Sequence, residues 1–379
     1  MVIRQSRNVL SGNWRQVLVC QHREIRKADF MQTDASMRAW RVFRYGRPSE
    51  ALRLDRIAVP EPGPGEVRVR TCAMALNYNE IDGCHGRYLT VNPPIPYTLG
   101  MEVTGTIDAA GPGAEHWVRR RVIACAKGAY GGYADFVVAD AGMVFDAPAQ
   151  LDDTQAAAFF MPFHLAWLGL HQRGGLKSGE TVLIHAGAGG VGSAAIQLAN
   201  AAGARVLATA GGPVKTAKCL ELGANVAIDY LASDFVPAVL AATDGRGVDL
   251  VFDGVGGAVT EASVRCLKLY GRLLMIGFAG GIEAEDRPML TPRAIMFGSI
   301  SFIGVMLAYT ADPRMLNPMP GIHIQPREVG EEVQRALDDL LAQGRIKPFV
   351  GKVVGFEELP AALDEMDQRL TMGRTVVRV

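Results

Sequence analysis

His185-Ala-Gly-Ala-Gly-Gly-Val-Gly-Ser-Ala-Ala-Ile-Gln-Leu-Ala199 puts four glycines into the six residues from Gly187 to Gly192 and then turns into an alanine-rich run. Alanine and leucine favour helix, so Val191 to Ala202 reads as one. The preceding Thr181-Val-Leu-Ile-His185 is a short apolar run suited to a strand buried on both faces. Ala204-Arg-Val-Leu-Ala-Thr209 supplies the next strand. These pieces make a βαβ unit, and Gly187-x-Gly189-x-x-Gly192 lies where its first strand hands over to its helix. In that position the first glycine permits the tight turn. The second lets backbone approach a pyrophosphate, and the third lets the helix pack closely on the strand. The missing side chains leave room for the phosphates of a dinucleotide at a helix N-terminus.

The pattern continues outward from this unit. Val214 to Leu222 reads as a helix, and Ala224–Asp229, Val248–Phe252 and Leu273–Phe278 as further strands. Strands alternating with helices imply an α/β fold, a doubly wound parallel sheet with right-handed crossovers. Gly277 and Phe278 close the fifth strand at the carboxyl edge, where such sheets bind ligands. NAD sites place an acidic residue at the end of the second strand to hold the ribose 2′-hydroxyl. Here that segment is Thr209-Ala-Gly-Gly-Pro-Val-Lys215, with no carboxylate. Small residues and Lys215 suit a 2′-phosphate, so NADPH is the expected cofactor; the alternative for Lys215 is a solvated helix residue.

Upstream, from about Met37, the chain alternates β-like runs with glycine turns. Glu66-Val-Arg-Val-Arg-Thr71 has the apolar/charged alternation of a half-buried strand, and glycine-rich turns separate it from the later β-like runs. Helical periodicity takes over after Asp152-Asp153-Thr154, with Pro162 expected to interrupt it. Residues 1–36 carry six Arg/Lys against three Asp/Glu without a sustained period. They read as a disordered tail, an overextended start or an arginine-bearing targeting segment. Over the whole chain of 379 residues, 39 Lys+Arg balance 39 Asp+Glu, which argues against nucleic acid or an anionic membrane and for a small-molecule partner. Six scattered cysteines without a CxxC pair fit neither a disulfide framework nor a zinc ribbon, so a cytoplasmic location is expected. The longest apolar run, Ile295 to Tyr309, is too short and too glycine-broken to span a membrane.

The glycine loop AGAGGVG with AIQLANAAGARVLATA and LGANVAIDY, together with the upstream LNYNEIDGCHGRY, LGMEVTGTI and GGYADFVV, resembles the zinc-independent quinone oxidoreductase and enoyl reductase branch of the medium-chain dehydrogenase/reductase superfamily. The motifs fall in order from about residue 37 to the end. The resemblance implies a GroES-like β domain beside a Rossmann domain. Residues 37–157 and 305–379 would form the first, and 158–304 the second. Zinc members carry Cys and His ligands where this chain has Ala75-Leu76-Asn77 and Gly100-Met101-Glu102, so no metal is expected.

By the same resemblance, Asn77 would face the nicotinamide ribose or substrate carbonyl, and Tyr88 would donate a hydrogen bond or proton to an enolate, or line the pocket. Gly187, Gly189, Gly190, Val191, Gly192 and Thr209 would hold the dinucleotide, with Lys215, Tyr230 and Arg369 at its 2′-phosphate end. Three positions depart from the family: Glu80 for Asp, Cys84 for Arg, and Leu165 for the Thr beside the nicotinamide. His164 reads as a satisfied core histidine or as a substitute for that Thr. The edge strand in SISFIGVML resembles the one through which relatives dimerise, so a homodimer is expected. The implied activity is NADPH-dependent reduction of a quinone or an α,β-unsaturated carbonyl compound. The alternatives are an enoyl-thioester reductase and a non-catalytic NADPH-binding protein.

Overall fold

The computed structural model describes residues 36–87, 93–280 and 292–379. Six parallel strands form one sheet in the order Val226–Asp229, Arg205–Ala210, Thr181–Ile184, Val248–Asp253, Leu267–Met275, Ser301–Gly304. The order reverses between Thr181–Ile184 and Val248–Asp253, which opens a crevice at their carboxyl ends. Val182, Leu183, Ile184, Val206, Leu207, Leu250 and Val251 are fully buried, as both faces of this sheet are covered. Helix Gly190–Ala201 starts at the crevice and lays Ala194, Ala195, Ile196, Leu198 and Ala199 into the core.

A seven-stranded sheet forms the second body. It runs Val350–Gly355, Arg374–Arg378, Glu66–Ala75, Glu102–Ala110, Arg121–Cys125, Val144–Asp146, with Phe136–Asp140 also on Glu66–Ala75. The C-terminal strand Arg374–Arg378 is antiparallel to Glu66–Ala75, so segments from before and after the parallel sheet share this one. The alternation expected over residues 66–71 is only partly kept. Val67 and Val69 are buried, but so is Arg68, whose guanidinium pairs with Asp108 at 3.0 Å. A buried arginine is tolerated there because a buried carboxylate meets it.

Pro162 does not interrupt the helical segment. It lies in the first turn of helix Phe160–Trp167, where its missing N–H leaves no intrahelical bond unmade. The helix continues into a π-turn over Leu168–Arg173. His164, on the same helix, is fully buried against Phe145 and Phe160. Its Nε2 bonds Gln334 Oε1 at 2.9 Å and its Nδ1 bonds the Tyr309 hydroxyl at 3.1 Å, tying this helix to Arg327–Ala342. It is therefore a core histidine, and no vacant ring nitrogen is left to replace a threonine hydroxyl.

Burial holds the His164 pKa down to about 4 from its ordinary 6.5, and burial lowers His185 as well. Between those two values the unfolded chain binds the proton and the folded one does not, so stability falls as pH falls through this window. Each such histidine contributes at most about 1.4 kcal/mol per pH unit. Thermal melts from pH 7 to pH 5 are expected to show a falling Tm, with a shallower fall in His164→Gln; equal slopes would remove His164 from the account.

Candidate functional site

The strand Thr181–Ile184 ends in the glycine turn at the crevice. The residue with left-handed backbone there is Ala186, at φ 51°, and not Gly187. Gly187 is needed for packing instead. A Cβ on it would stand 2.9 Å from Cys219 Sγ and 3.0 Å from Ala208 Cβ. A Cβ on Gly192 would strike the Ala186 carbonyl, so the helix can sit over the turn only without a side chain. Gly189 faces comparatively open space, with the Ala186 oxygen alone nearby at 3.2 Å. The turn is thus closed by packing on the side of Gly187 and Gly192 and open on the side of Gly189. Helix Gly190–Ala201 has no side-chain cap at Gly189, and its first intrahelical bond is Ser193 N to Gly189 O at 2.9 Å. The amides of Val191 and Gly192 therefore remain available at the positive end of the helix, the arrangement that suits a phosphate.

Thr209 ends up behind this loop. Its carbonyl accepts Gly187 N at 2.9 Å, and its buried hydroxyl bonds His185 Nδ1 at 2.9 Å, while His185 Nε2 bonds Ser263 Oγ at 2.8 Å. The side chain of Thr209 is buried and supports the turn. Gly277 and Phe278 follow the strand Leu267–Met275 and run beside Gly254–Gly256, with Ala279 N on Gly254 O at 3.0 Å.

Lys215, Tyr230 and Arg369 converge at the far end of the crevice. A cavity of about 280 Å³ is lined there by Gly211, Gly212, Lys215, Leu370 and Met372. Lys215 Nζ donates to the Arg369 carbonyl at 2.6 Å, and the Tyr230 hydroxyl lies 2.8 Å from where a Cβ on Gly211 would stand. Burial, and then the Arg369 charge, hold the Lys215 amine below its ordinary pKa. Among the described residues no carboxylate acts on the Lys215 amine, whose one hydrogen-bond acceptor is the Arg369 backbone, and no salt bridge joins Arg369 to a carboxylate. Two neighbouring cations beside a cavity, lacking a counter-ion, fit an anion such as a ribose phosphate. Sequence reading found no carboxylate in residues 209–215, yet the fold brings Asp229 in from the third strand. Its Oδ1 accepts Gly212 N at 2.8 Å and Leu231 N at 3.0 Å. These amides occupy it as a turn support.

Asn77 is buried at the start of helix Tyr78–His85. Its Oδ1 accepts Arg374 Nη1 at 2.9 Å, and its Nδ2 makes long contacts of 3.4 Å to Ala75 O and Glu80. Glu80, fully buried, accepts Asn77 N at 2.5 Å, Met101 N at 2.8 Å and the Tyr133 hydroxyl, so it is a structural hydrogen-bond hub. Burial pushes its carboxyl up from the ordinary value. Arg374, Glu102 and Tyr133 were not foreseen. The signal available was an arginine opening the strand Arg374-Thr-Val-Val-Arg378 directly after Gly373. Tyr88 lies outside the described residues. Cys84 is buried, and burial raises its thiol pKa.

Two family models match the chain: an alcohol dehydrogenase GroES-like domain over residues 63–149 and a zinc-binding dehydrogenase over residues 190–318. Human quinone oxidoreductase is 30% identical over 327 residues, 86% of this chain and 92% of that protein. The chain belongs to the medium-chain dehydrogenase/reductase superfamily, in its quinone oxidoreductase and enoyl reductase branch. It is a quinone oxidoreductase-like oxidoreductase of that superfamily. A mycobacterial protein solved in complex with NADPH superposes on this family member with a TM-score of 0.78 at 28% identity, over 91% of this chain and all of the other. A quinone oxidoreductase from Pseudomonas syringae gives a TM-score of 0.77 at 27% identity, over 90% of this chain. Phthioceranic/hydroxyphthioceranic acid synthase of Mycobacterium tuberculosis is 37% identical over 217 residues, 57% of this chain but only 10% of the synthase. Among the described residues no group of three His, Cys, Asp or Glu is placed to hold a metal ion, despite the name of the second family model. Nor is any described helix long and apolar enough to cross a membrane.

Removing the Lys215 charge is expected to weaken NADPH binding by about tenfold, the scale of one charge-assisted hydrogen bond. Lys215→Ala should leave NADH almost unaffected. Equal losses for both nucleotides, read by titration, would contradict a 2′-phosphate at this end of the crevice.

Proposed function

We propose that this chain is an NADPH-dependent reductase of quinones or α,β-unsaturated carbonyl compounds that works without zinc. The observation that carries the reading is the pairing of an uncapped glycine-loop helix with the cations Lys215 and Arg369, which have no carboxylate partner among the described residues, at the far end of one crevice. A dinucleotide with its pyrophosphate on the amides of Val191 and Gly192 and its 2′-phosphate between Lys215, Tyr230 and Arg369 matches both features. When bound, NADPH supplies a hydride to the electrophilic carbon of the acceptor, and becomes NADP⁺. In an enone the hydride adds at the β-carbon, the double-bond pair moves toward the carbonyl oxygen, and a proton completes the α-carbon.

The protein's share is to orient the partners, exclude water and stabilise the developing oxyanion. Asn77, fixed by Arg374 and Glu80, supports the wall of the cleft. Tyr88 is the candidate donor to the enolate, because a phenol is neutral at pH 7 and hydrogen-bonds negative charge. Gly277 and Phe278 are the candidate neighbours of the nicotinamide, offering backbone groups.

A homodimer is part of the proposal. The outer side of Ser301–Gly304 carries no further strand among the described residues, Phe302 is exposed, and the adjoining helix leaves Phe297 75% exposed. A hydrophobic open edge favours pairing with a second copy. Sedimentation should give twice the 40.7 kDa chain mass, and Phe302→Glu should shift it toward one chain; a wild-type monomer would contradict this assembly.

The activity is tested by following NADPH oxidation with 1,4-benzoquinone, an enone and crotonyl-CoA. Turnover with a quinone or enone supports the reading, and NADPH binding without turnover of any acceptor contradicts it. Tyr88→Phe should slow the enone by roughly a hundredfold, within the usual range for a general acid, and the quinone far less. Matched losses would make Tyr88 pocket lining.

A further inference from the structure

Arg374 is 6% exposed, and its guanidinium lies where the two bodies of the molecule meet. Nη1 donates to Asn77 Oδ1 at 2.9 Å and Nη2 donates to Glu102 Oε1. The other Glu102 oxygen accepts Met161 N at 3.1 Å, in the first turn of helix Phe160–Trp167. Asn77 N is in turn held by Glu80, which also holds Met101 N and the Tyr133 hydroxyl. The same corner grips the glycine loop. Gly373 N donates to Ala188 O at 2.7 Å, and Gly373 pairs with Gly189 as an isolated bridge. A Cβ on Gly190 would stand 2.5 Å from Arg374 Cδ, so the arginine stem packs directly on the first residue of the dinucleotide helix.

Two fully buried carboxylates around one buried guanidinium are a poor source of stability, since well-packed apolar side chains commonly do as well. What such a group supplies is fixed direction, because the fork of an arginine can hold two partners at set angles. We propose that Arg374 is a positioning residue that fastens the glycine loop to the Asn77 wall of the cleft. It thereby sets the span over which one dinucleotide is held, with its adenosine half anchored on the Rossmann side and its nicotinamide half seated against the β domain. The inference rests on NADPH being the cofactor, and it assigns Arg374 to geometry and not to contact with the reacting atoms.

The test compares NADPH with 2′,5′-ADP, which carries the adenosine half and both of its phosphates but no nicotinamide. Wild-type protein, Arg374→Lys and Glu102→Gln are titrated with each by calorimetry, with nicotinamide fluorescence followed for NADPH and Tm measured for every protein. Lysine keeps the charge but replaces the two nitrogens of the planar fork with one, so it cannot hold Asn77 and Glu102 at the same spacing and angles. In Arg374→Lys the affinity for 2′,5′-ADP should stay within about threefold of wild type. The advantage of NADPH over 2′,5′-ADP, and its fluorescence enhancement, should fall by about tenfold, the scale of one charged hydrogen bond. Glu102→Gln, which preserves shape, should show a smaller loss of the same kind. Equal weakening of both ligands in step with Tm would reduce Arg374 to a structural role and overturn the proposal. If Arg374→Lys does not fold, Glu102→Gln decides, and an undiminished NADPH advantage in it overturns the proposal. Failure of the cofactor assignment itself would appear earlier and separately, as wild-type protein that binds NADPH no better than 2′,5′-ADP.

Discussion

The close approach of helix Gly190–Ala201 to the end of strand Thr181–Ile184 is the constraint on which the site depends. Any side chain at Gly192 would collide with the Ala186 carbonyl, and one at Gly187 would collide with Cys219 and Ala208. Because both are glycine, the helix N-terminus comes down on the sheet's carboxyl edge with the amides of Val191 and Gly192 uncommitted and no capping side chain in the way. That geometry suits a phosphate. The helix itself is held by burial of its alanine and leucine face, so loop conformation and core packing are one problem.

The second body completes the crevice through a small number of directed contacts. Gly373 and Arg374 reach the glycine loop, and Glu102 reaches the helix that carries His164. Polar groups concentrated at a junction fix orientation more than they add stability. The apolar cores on either side provide the bulk of the folding free energy. Asn77, Met101 and Glu102 are drawn together at that junction by Glu80 and Arg374.

The Rossmann half was largely legible in the sequence because its signals are local. Apolar runs of buried parallel strands, glycine spacing and helix periodicity fall within windows of a few residues; four of the five expected strands from Thr181 are present within two positions, whereas the fifth, expected over Leu273–Phe278, runs Leu267–Met275 and ends before Gly277 and Phe278. The roles of the individual glycines were not legible in the same way. They depend on Cys219 and Arg374, which come from distant segments. The same holds for Arg68, buried because Asp108 crosses the sheet to it, and for Asp229, a carboxylate beside Gly212 that no reading of the 209–215 segment could reveal. Pro162 reads as a break in the sequence because the helix start at Phe160 carries no capping side chain to mark it. The Asn77 network needed the topology as well. It joins residues up to 297 positions apart, and pairwise geometry at that separation leaves no periodic trace in the chain.

Hydrogen–deuterium exchange with and without NADPH tests the central claim most directly, since it maps where a ligand's phosphates and adenosine end meet backbone amides. The account predicts protection concentrated in Gly187–Ser193, in Thr209–Thr216 and in the Arg369–Arg374 segment, within one binding event. Protection confined to other surfaces, or none at saturating NADPH, would contradict the assignment of the glycine loop and its basic far end to one dinucleotide site.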